Sequence, residues 1–166
     1  MKPRIHYLIP LSCLIVVLPL MGQPSYSQSL TALTESDIQA MINGLDRAAR
    51  KGSVPGMLAP LTTDAKIKVT VSNPGSDKEV VATLNKDQYA YSLRNILRRR
   101  ISYHSERKNT RIKIYDAETA TVTSELYETL KFRQGTLRGS SSEVMYVGLR
   151  NGKVVITGVD SRTRLY

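Results

Sequence analysis

The chain has 166 residues, of which 41% are hydrophobic, and it carries 24 Lys and Arg against 14 Asp and Glu, for a net charge of +10. This length favours a single domain. The one cysteine, Cys13, excludes an internal disulfide bond and a cysteine-rich metal site. A positive balance of this size most commonly keeps the surface of a protein solvated.

The first 27 residues have the pattern of a cleavable secretory signal peptide. Lys2 and Arg4 precede an apolar stretch over residues 8–21, and the small Ser25 and Ser27 occupy the positions that signal peptidase recognises. The apolar stretch is shorter than the ~20 residues that a permanent transmembrane helix needs. We therefore expect cleavage after Ser27 and a secreted or periplasmic protein, with an uncleaved membrane anchor as the alternative.

The next segments are a short tether over residues 28–33 and one domain over residues 34–166. Thr34 and Asp37 form a capping-box pattern, with an acid three places after a hydroxyl. Apolar residues then recur at spacings of three and four, which predicts an amphipathic helix over residues 35–51. The domain therefore opens with a helix.

A hairpin is predicted after this helix. The apolar segment 54–61 is interrupted by prolines and predicts only a helical turn or a packed loop. Two strand-like runs follow, 65–71 and 79–84, and the Pro74-Gly75 pair between them is typical of a type II turn. The two runs therefore predict a β-hairpin.

A second helix and a set of long strands complete the prediction. Asn85 and Gln88 repeat the capping pattern ahead of an amphipathic helix over residues 86–100. From there the periodicity changes to two, which predicts about four antiparallel strands. The last two are joined by Asn151-Gly152, a strong signal for a two-residue hairpin turn.

This order of elements resembles the nuclear transport factor two-like superfamily, whose cone-shaped fold is shared by SnoaL-like proteins and ketosteroid isomerases. The segments 116–122 and 149–156 look like its turn-and-strand and its closing hairpin, although Val154 stands where that hairpin usually has Trp. The resemblance covers about residues 34–161. It implies an α+β fold, a curved antiparallel sheet wrapped around N-terminal helices in a cystatin-like cone. Members include enzymes, binding modules and assembly domains, so it transfers no catalytic residue.

Glu128 is the candidate polar residue of a pocket. On the strand over 118–132 the even positions are mostly apolar, and Ser124 and Glu128 share that face. In the resembled cone this face lines a pocket, where burial would raise the pKa of a carboxylate and suit it as a general base or polar anchor. The alternative is that Glu128 lies at the mouth and pairs with an arginine.

Three tyrosines, Tyr89, Tyr103 and Tyr146, are candidates to line the same pocket and to donate hydroxyl hydrogen bonds to a ligand. The alternative places them at the edge of the core with their hydroxyls in water. His104 has no cysteine or paired acid at metal-ligand spacing, so we expect no metal site and no cofactor.

A basic patch is predicted around the end of the second helix and the strand that follows. Its candidates are Arg94, Arg98, Arg99, Arg100, Arg107 and Arg111. Arg94 and Arg98 are one helical turn apart, a spacing at which two guanidinium groups can bind a phosphate or carboxylate. The alternative is a solvated face. For an exported protein, anionic surfaces are the available partners, and nucleic acid is not expected.

The resulting hypothesis is an exported domain that binds a small ligand or a partner protein in or on the cone. One alternative is an enzyme of the isomerase, dehydratase or hydrolase kind that uses Glu128 as a pocket carboxylate, although no complete catalytic motif supports it. Another is an association module that forms a homodimer through its sheet. An apolar pocket containing Glu128 would favour a ligand or an enzyme, whereas a filled cone would favour association.

Overall fold

The computed structural model describes residues 29–73 and 78–166, in which three helices pack on a curved six-stranded sheet. The elements in chain order are α1 (Glu35–Lys51), α2 (Val54–Leu58), β1 (Leu61–Ser72), β2 (Glu79–Leu84), α3 (Lys86–Arg99), β3 (Ser102–Ile114), β4 (Thr119–Phe132), β5 (Gly135–Arg150) and β6 (Lys153–Leu165). The signal peptide and the Pro74-Gly75 turn lie outside the described residues. Among the helices that are described, none is long and apolar enough to span a membrane.

Both predicted helix starts are confirmed. The backbone N–H of Asp37 donates to Thr34 Oγ1 at 3.2 Å, which caps α1. At α3 the capping box is complete, because the Gln88 N–H donates to Asn85 Oδ1 and the Asn85 N–H donates to Gln88 Oε1. These bonds satisfy backbone donors that have no partner inside the helix.

The strands follow the order β2-β1-β6-β5-β4-β3, so the chain returns at its end to lie beside the first hairpin. The predicted α+β cone is confirmed, but the sheet is mixed, because β1 and β6 pair in parallel while the other neighbours are antiparallel. Apolar alternation identifies a strand without specifying its neighbour or its direction, so the sequence could not show this pairing.

The β5–β6 turn is the predicted Asn151-Gly152 hairpin. Both residues have positive φ, 50° and 67°, as a type I′ turn requires. The start of the described chain packs on this turn, since the Leu30 N–H donates to the Gly152 carbonyl at 3.2 Å. Three residues later Leu33 is buried in the core.

The core lies between α1 and the inner face of the sheet. Its most deeply buried side chains are Ile38 and Ile42 of α1 and, facing them, Val122, Met145 and Ile156 of three neighbouring strands. Burial of each such side chain contributes about 1.5–3 kcal/mol.

A β-bulge in β3 decides which of its residues face inward. The β3–β4 register shifts between Lys108 and Arg111, and Asn109 within the bulge has a φ of 52°. The extra residue reverses the alternation, so that Arg107 faces inward before the bulge and Ile112 packs on the core after it.

Candidate functional site

A pocket lies between α3 and the inner face of the sheet, beside the packed core. It consists of two adjoining cavities of about 120 and 330 Å³. The residues that line both cavities are Met57, Tyr89, Leu93, Tyr103, Leu126, Glu128, Glu143 and Val159. The larger cavity continues between apolar side chains towards the end of β4, where it reaches Phe132 and the 40% exposed Leu137. Its lining is therefore mainly apolar, with the carboxyl groups at its inner end and with the hydroxyl groups of Ser141, Ser161 and Thr163 also lining it.

Glu128 lies in this pocket, hydrogen-bonded to a tyrosine. Its direct partner across the β3–β4 pair is Ser105, and Tyr103 is the next inward-facing residue along β3. The Tyr103 hydroxyl donates to Glu128 Oε1 at 2.5 Å. Burial raises the pKa of Glu128 above its ordinary value, and Glu143 adds to the increase, while the Tyr103 hydrogen bond and Arg107 oppose it. The partner of Glu128 is thus a tyrosine inside the pocket, where the alternative interpretation had an arginine at the mouth.

Tyr89 and Tyr103 both line the two cavities. Burial, reinforced by neighbouring glutamates, raises the pKa of each tyrosine well above its ordinary value. Both therefore remain neutral hydroxyl groups at physiological pH, able to donate or accept a hydrogen bond.

Arg107 does not belong to the predicted basic patch. Its guanidinium donates to Asp46 of α1 at 3.1 Å and, through Nη1, to Glu143 of β5 and to Ser124 of β4 at 2.5 Å each. Burial alone would lower the pKa of Arg107, but the two carboxylates outweigh it and raise the pKa. Ser124 faces inward as predicted, yet what it contacts is this arginine.

Tyr146 does not line the pocket. Its neighbours Met145 and Val147 are buried on the inner face, so Tyr146 points to the outer face, where it is 48% exposed. It contributes there to a shallow depression with Lys66 and Lys68. Successive side chains of a strand point to opposite faces, so Tyr146 cannot share the inner face with Met145 and Val147.

The predicted basic patch is divided by the fold. Three of its members, Arg98, Arg99 and Arg100, line an open groove of about 730 Å³ at the end of α3, together with Arg133. Arg111 lies nine residues beyond Ser102 on β3, which at strand geometry is about 30 Å away.

The remaining candidate, Arg94, is exposed on α3 and lines neither the pocket nor the groove. The arginine groove, defined by Arg98, Arg99, Arg100 and Arg133, therefore replaces the longer patch.

The sequence did not predict Asp46, Glu143 or Arg133 as residues of these sites, and it did not predict that Arg107 faces inward in an ion pair. Glu143 had a signal, because it alternates with Met145 and Val147 on the buried face of β5. The other three depend on which elements meet in space. Within residues 29–73 and 78–166, no group of His, Cys, Asp or Glu side chains is placed to hold a metal ion.

Comparison with solved structures identifies the architecture. A scytalone dehydratase-like protein from Novosphingobium aromaticivorans superposes with a TM-score of 0.64 at 15% identity, over 77% of this chain and 82% of that one. A nuclear transport factor two-like protein from Cytophaga hutchinsonii superposes with a TM-score of 0.60 at 14% identity, over 78% of this chain and 98% of that one. The chain has the nuclear transport factor two-like fold.

The nuclear transport factor two-like fold is shared with enzymes and with proteins of unknown function. A hexachlorocyclohexane dehydrochlorinase from Novosphingobium barchaimii matches with a TM-score of 0.59 at 12% identity, over 77% of this chain and 84% of that one. No family model and no curated protein matches the sequence. At these identities the likeness establishes the fold and leaves the activity to the site itself.

Proposed function

We propose that this is an exported domain that binds a small, largely apolar molecule carrying at least one hydrogen-bonding group. The ligand occupies the pocket between α3 and the sheet, with its polar group at Tyr103 and Glu128. The export part of the proposal rests on the signal-peptide pattern of residues 1–27.

The observation that carries the proposal is the Tyr103–Glu128 hydrogen bond inside a mainly apolar pocket. Small-molecule sites are typically apolar concavities in which a few convergent polar groups fix the orientation of the ligand. A carboxyl group is costly to bury without partners, and one hydroxyl occupies only part of its hydrogen-bonding capacity. A ligand hydroxyl or amide would therefore be bound in a defined orientation at this point.

The neighbouring Arg107 supports the same interpretation by being already neutralised. Its two carboxylate partners balance its charge, and they and Ser124 accept hydrogen bonds from its Nε and Nη1 atoms, so an anionic ligand group gains little there. The inner end of the pocket accordingly favours a neutral hydrogen-bonding group over an anion.

Occupation of the pocket can be tested with two serines adjacent on β5. Ser141 is buried and lines the larger cavity, whereas Ser142 is exposed. Ser141→Phe should fill the cavity and abolish binding of an uncharged apolar fluorophore such as phenyl-naphthylamine, and Ser142→Phe should leave it unchanged. Ser141→Leu repeats the test with less added volume.

Native mass spectrometry of the protein purified from its producing cell should in addition show a bound small molecule that Ser141→Phe has lost. Equal fluorophore binding by the two phenylalanine variants would contradict the proposal.

The raised pKa of Glu128 favours a second function, an enzyme of the isomerase, dehydratase or hydrolase kind. A carboxyl group whose pKa is moved towards neutrality, in a site shielded from water, is suited to general acid–base catalysis. In that case Glu128 would transfer a proton of the bound molecule while the Tyr103 hydroxyl positions the carboxylate.

Hydrogen exchange in the ligand separates the binder from the enzyme. The molecule recovered from the native protein is incubated with fresh protein in deuterated water and then returned to ordinary water, which removes deuterium from O–H and N–H groups, and its mass is measured. An enzyme that abstracts a proton from carbon should add deuterium, and Glu128→Gln should stop the exchange while retaining the molecule. A ligand whose mass stays constant would contradict the enzyme and support the binding function only.

A further inference from the structure

The apolar pocket and the arginine groove meet at one residue. Phe132, the last residue of β4, lines both the larger cavity and the groove. On the helical side Leu97 lines the cavity and is followed directly by Arg98 and Arg99 of the groove. A molecule that projects from the mouth of the cavity would therefore enter a cationic surface.

The groove has the composition of an anion site. Arg98, Arg99 and Arg133 are exposed, and no acidic residue is among those that line the groove. Guanidinium groups bind carboxylate, sulfate and phosphate oxygens through paired hydrogen bonds. Because these three arginines lie on different elements, α3 and the β4–β5 turn, an oxyanion can be contacted from two sides.

Arg100 connects the groove to the polar end of the pocket. Its guanidinium lies 5.7 Å from the centre of the Tyr103 ring, and Tyr103 donates to Glu128. The Arg100 Nη1 atom is buried without a hydrogen-bond acceptor. A buried donor of this kind is costly, and because Nη1 is shielded from solvent it is not itself a contact for an anion in the open groove.

We propose that the ligand is an anionic amphiphile, whose apolar body fills the larger cavity and whose carboxylate, sulfate or phosphate group lies in the arginine groove. This inference rests on the proposed function, and it adds the chemical class and the orientation of the ligand. Glu128 and Glu143 at the inner end repel an anion, whereas the arginines at the mouth attract one, so the charged group points outward.

The geometry also sets a length. Glu128 and Phe132 are four residues apart on β4, a distance of about 13 Å at strand geometry. A ligand that contacts both the Tyr103–Glu128 pair and the groove must extend over this distance. Its body is therefore an extended chain or a set of fused rings, with a second polar group at the far end from the anion.

Two fluorescent probes with the same aromatic body test the proposal. Anilinonaphthalene sulfonate carries a sulfonate that phenyl-naphthylamine lacks. The wild-type protein should bind the sulfonate probe about tenfold more tightly than the uncharged probe. Rising salt should weaken the binding of the sulfonate probe only. The triple variant Arg98→Ala, Arg99→Ala, Arg133→Ala should bind the two probes about equally, because it loses affinity for the sulfonate probe and keeps its affinity for the uncharged one. Arg100 is retained because it packs on Tyr103.

A control variant with the same loss of charge is Arg111→Ala, Arg150→Ala, Arg162→Ala, because these exposed arginines line neither the pocket nor the groove. It should retain the preference for the sulfonate probe, and Ser141→Phe should bind neither probe.

Equal binding of the two probes, unaffected by either triple variant, would overturn the proposal of an anionic ligand and leave the pocket proposal standing. If the wild-type protein bound neither probe, both the pocket proposal and the anionic-ligand proposal would be contradicted. Sulfonate binding that survives Ser141→Phe would show a surface anion site without an apolar body, and would also overturn the inference.

Discussion

Arg107 of β3 and Glu143 of β5 form an ion pair of 2.5 Å across the intervening strand β4, and Ser124 of β4 accepts a hydrogen bond from the same guanidinium nitrogen. The two side chains are only 9% and 16% exposed. A third contact, from Arg107 to Asp46, ties α1 to the sheet. One arginine thus connects four elements directly beside the pocket.

Arg107→Met should lower the free energy of unfolding by about 3 kcal/mol, because the change leaves two carboxylates without their buried counter-charge. Arg111→Met on the exposed part of the same strand is the control and should change it by no more than about 0.5 kcal/mol. Urea denaturation at neutral pH measures both. An Arg107→Met protein as stable as the control would mean that the network contributes nothing to folding.

Tyr103→Phe should raise the pKa of Glu128 further, since the hydrogen bond from Tyr103 is a cause that lowers it. The loss of the hydroxyl also leaves a shielded carboxylate without its donor, which costs about 1–3 kcal/mol. NMR titration of the Glu128 carboxyl carbon and urea denaturation measure the two effects. Tyr146→Phe, on the outer face, is the matched control and should change neither.

Glu128→Gln should leave the stability at neutral pH equal or slightly higher and should remove one source of its pH dependence. The folded-state pKa of Glu128 is raised by burial, above the ~4.3 of a free glutamate. The folded protein therefore holds this proton more tightly than the unfolded chain. Its contribution to stability increases as the pH falls from the folded pKa towards ~4.3 and is lowest above the folded pKa.

The measurement is the difference in unfolding free energy between wild type and Glu128→Gln at a series of pH values. The wild type should gain on the variant as the pH decreases through that window. A difference that moves the other way would mean that the carboxylate is stabilised in its charged form and is not shielded in a pocket.

The exported protein should begin at Gln28, directly after the predicted cleavage at Ser27. N-terminal sequencing of the protein recovered from outside the cytoplasm tests this. Mutation of Ser27 to a bulky residue should slow processing, while the same change at Ser29 should not. A chain with Met1 intact in the membrane fraction would establish the anchored alternative.

Local chemistry explains why much of the fold was predictable. The caps at Thr34 and Asn85 and the turn at Asn151-Gly152 each depend on residues within a few positions of one another, so a short stretch of sequence specifies them. The inward orientation of Glu128 follows from alternation along β4, a strand in which the β3–β4 and β4–β5 ladders place no extra residue. These features needed no knowledge of the rest of the molecule.

The partners of those residues were decided only by the tertiary structure. The bulge at Asn109 turns Arg107 inward, where it pairs with Asp46 and Glu143, 61 and 36 residues away in the sequence. Arg133 joins the groove because the end of β4 lies next to the end of α3. Periodicity records which side of an element is apolar, but it carries no information about which distant element covers that side. The pocket, its ion pair and its cationic mouth exist only because these separate segments are brought together.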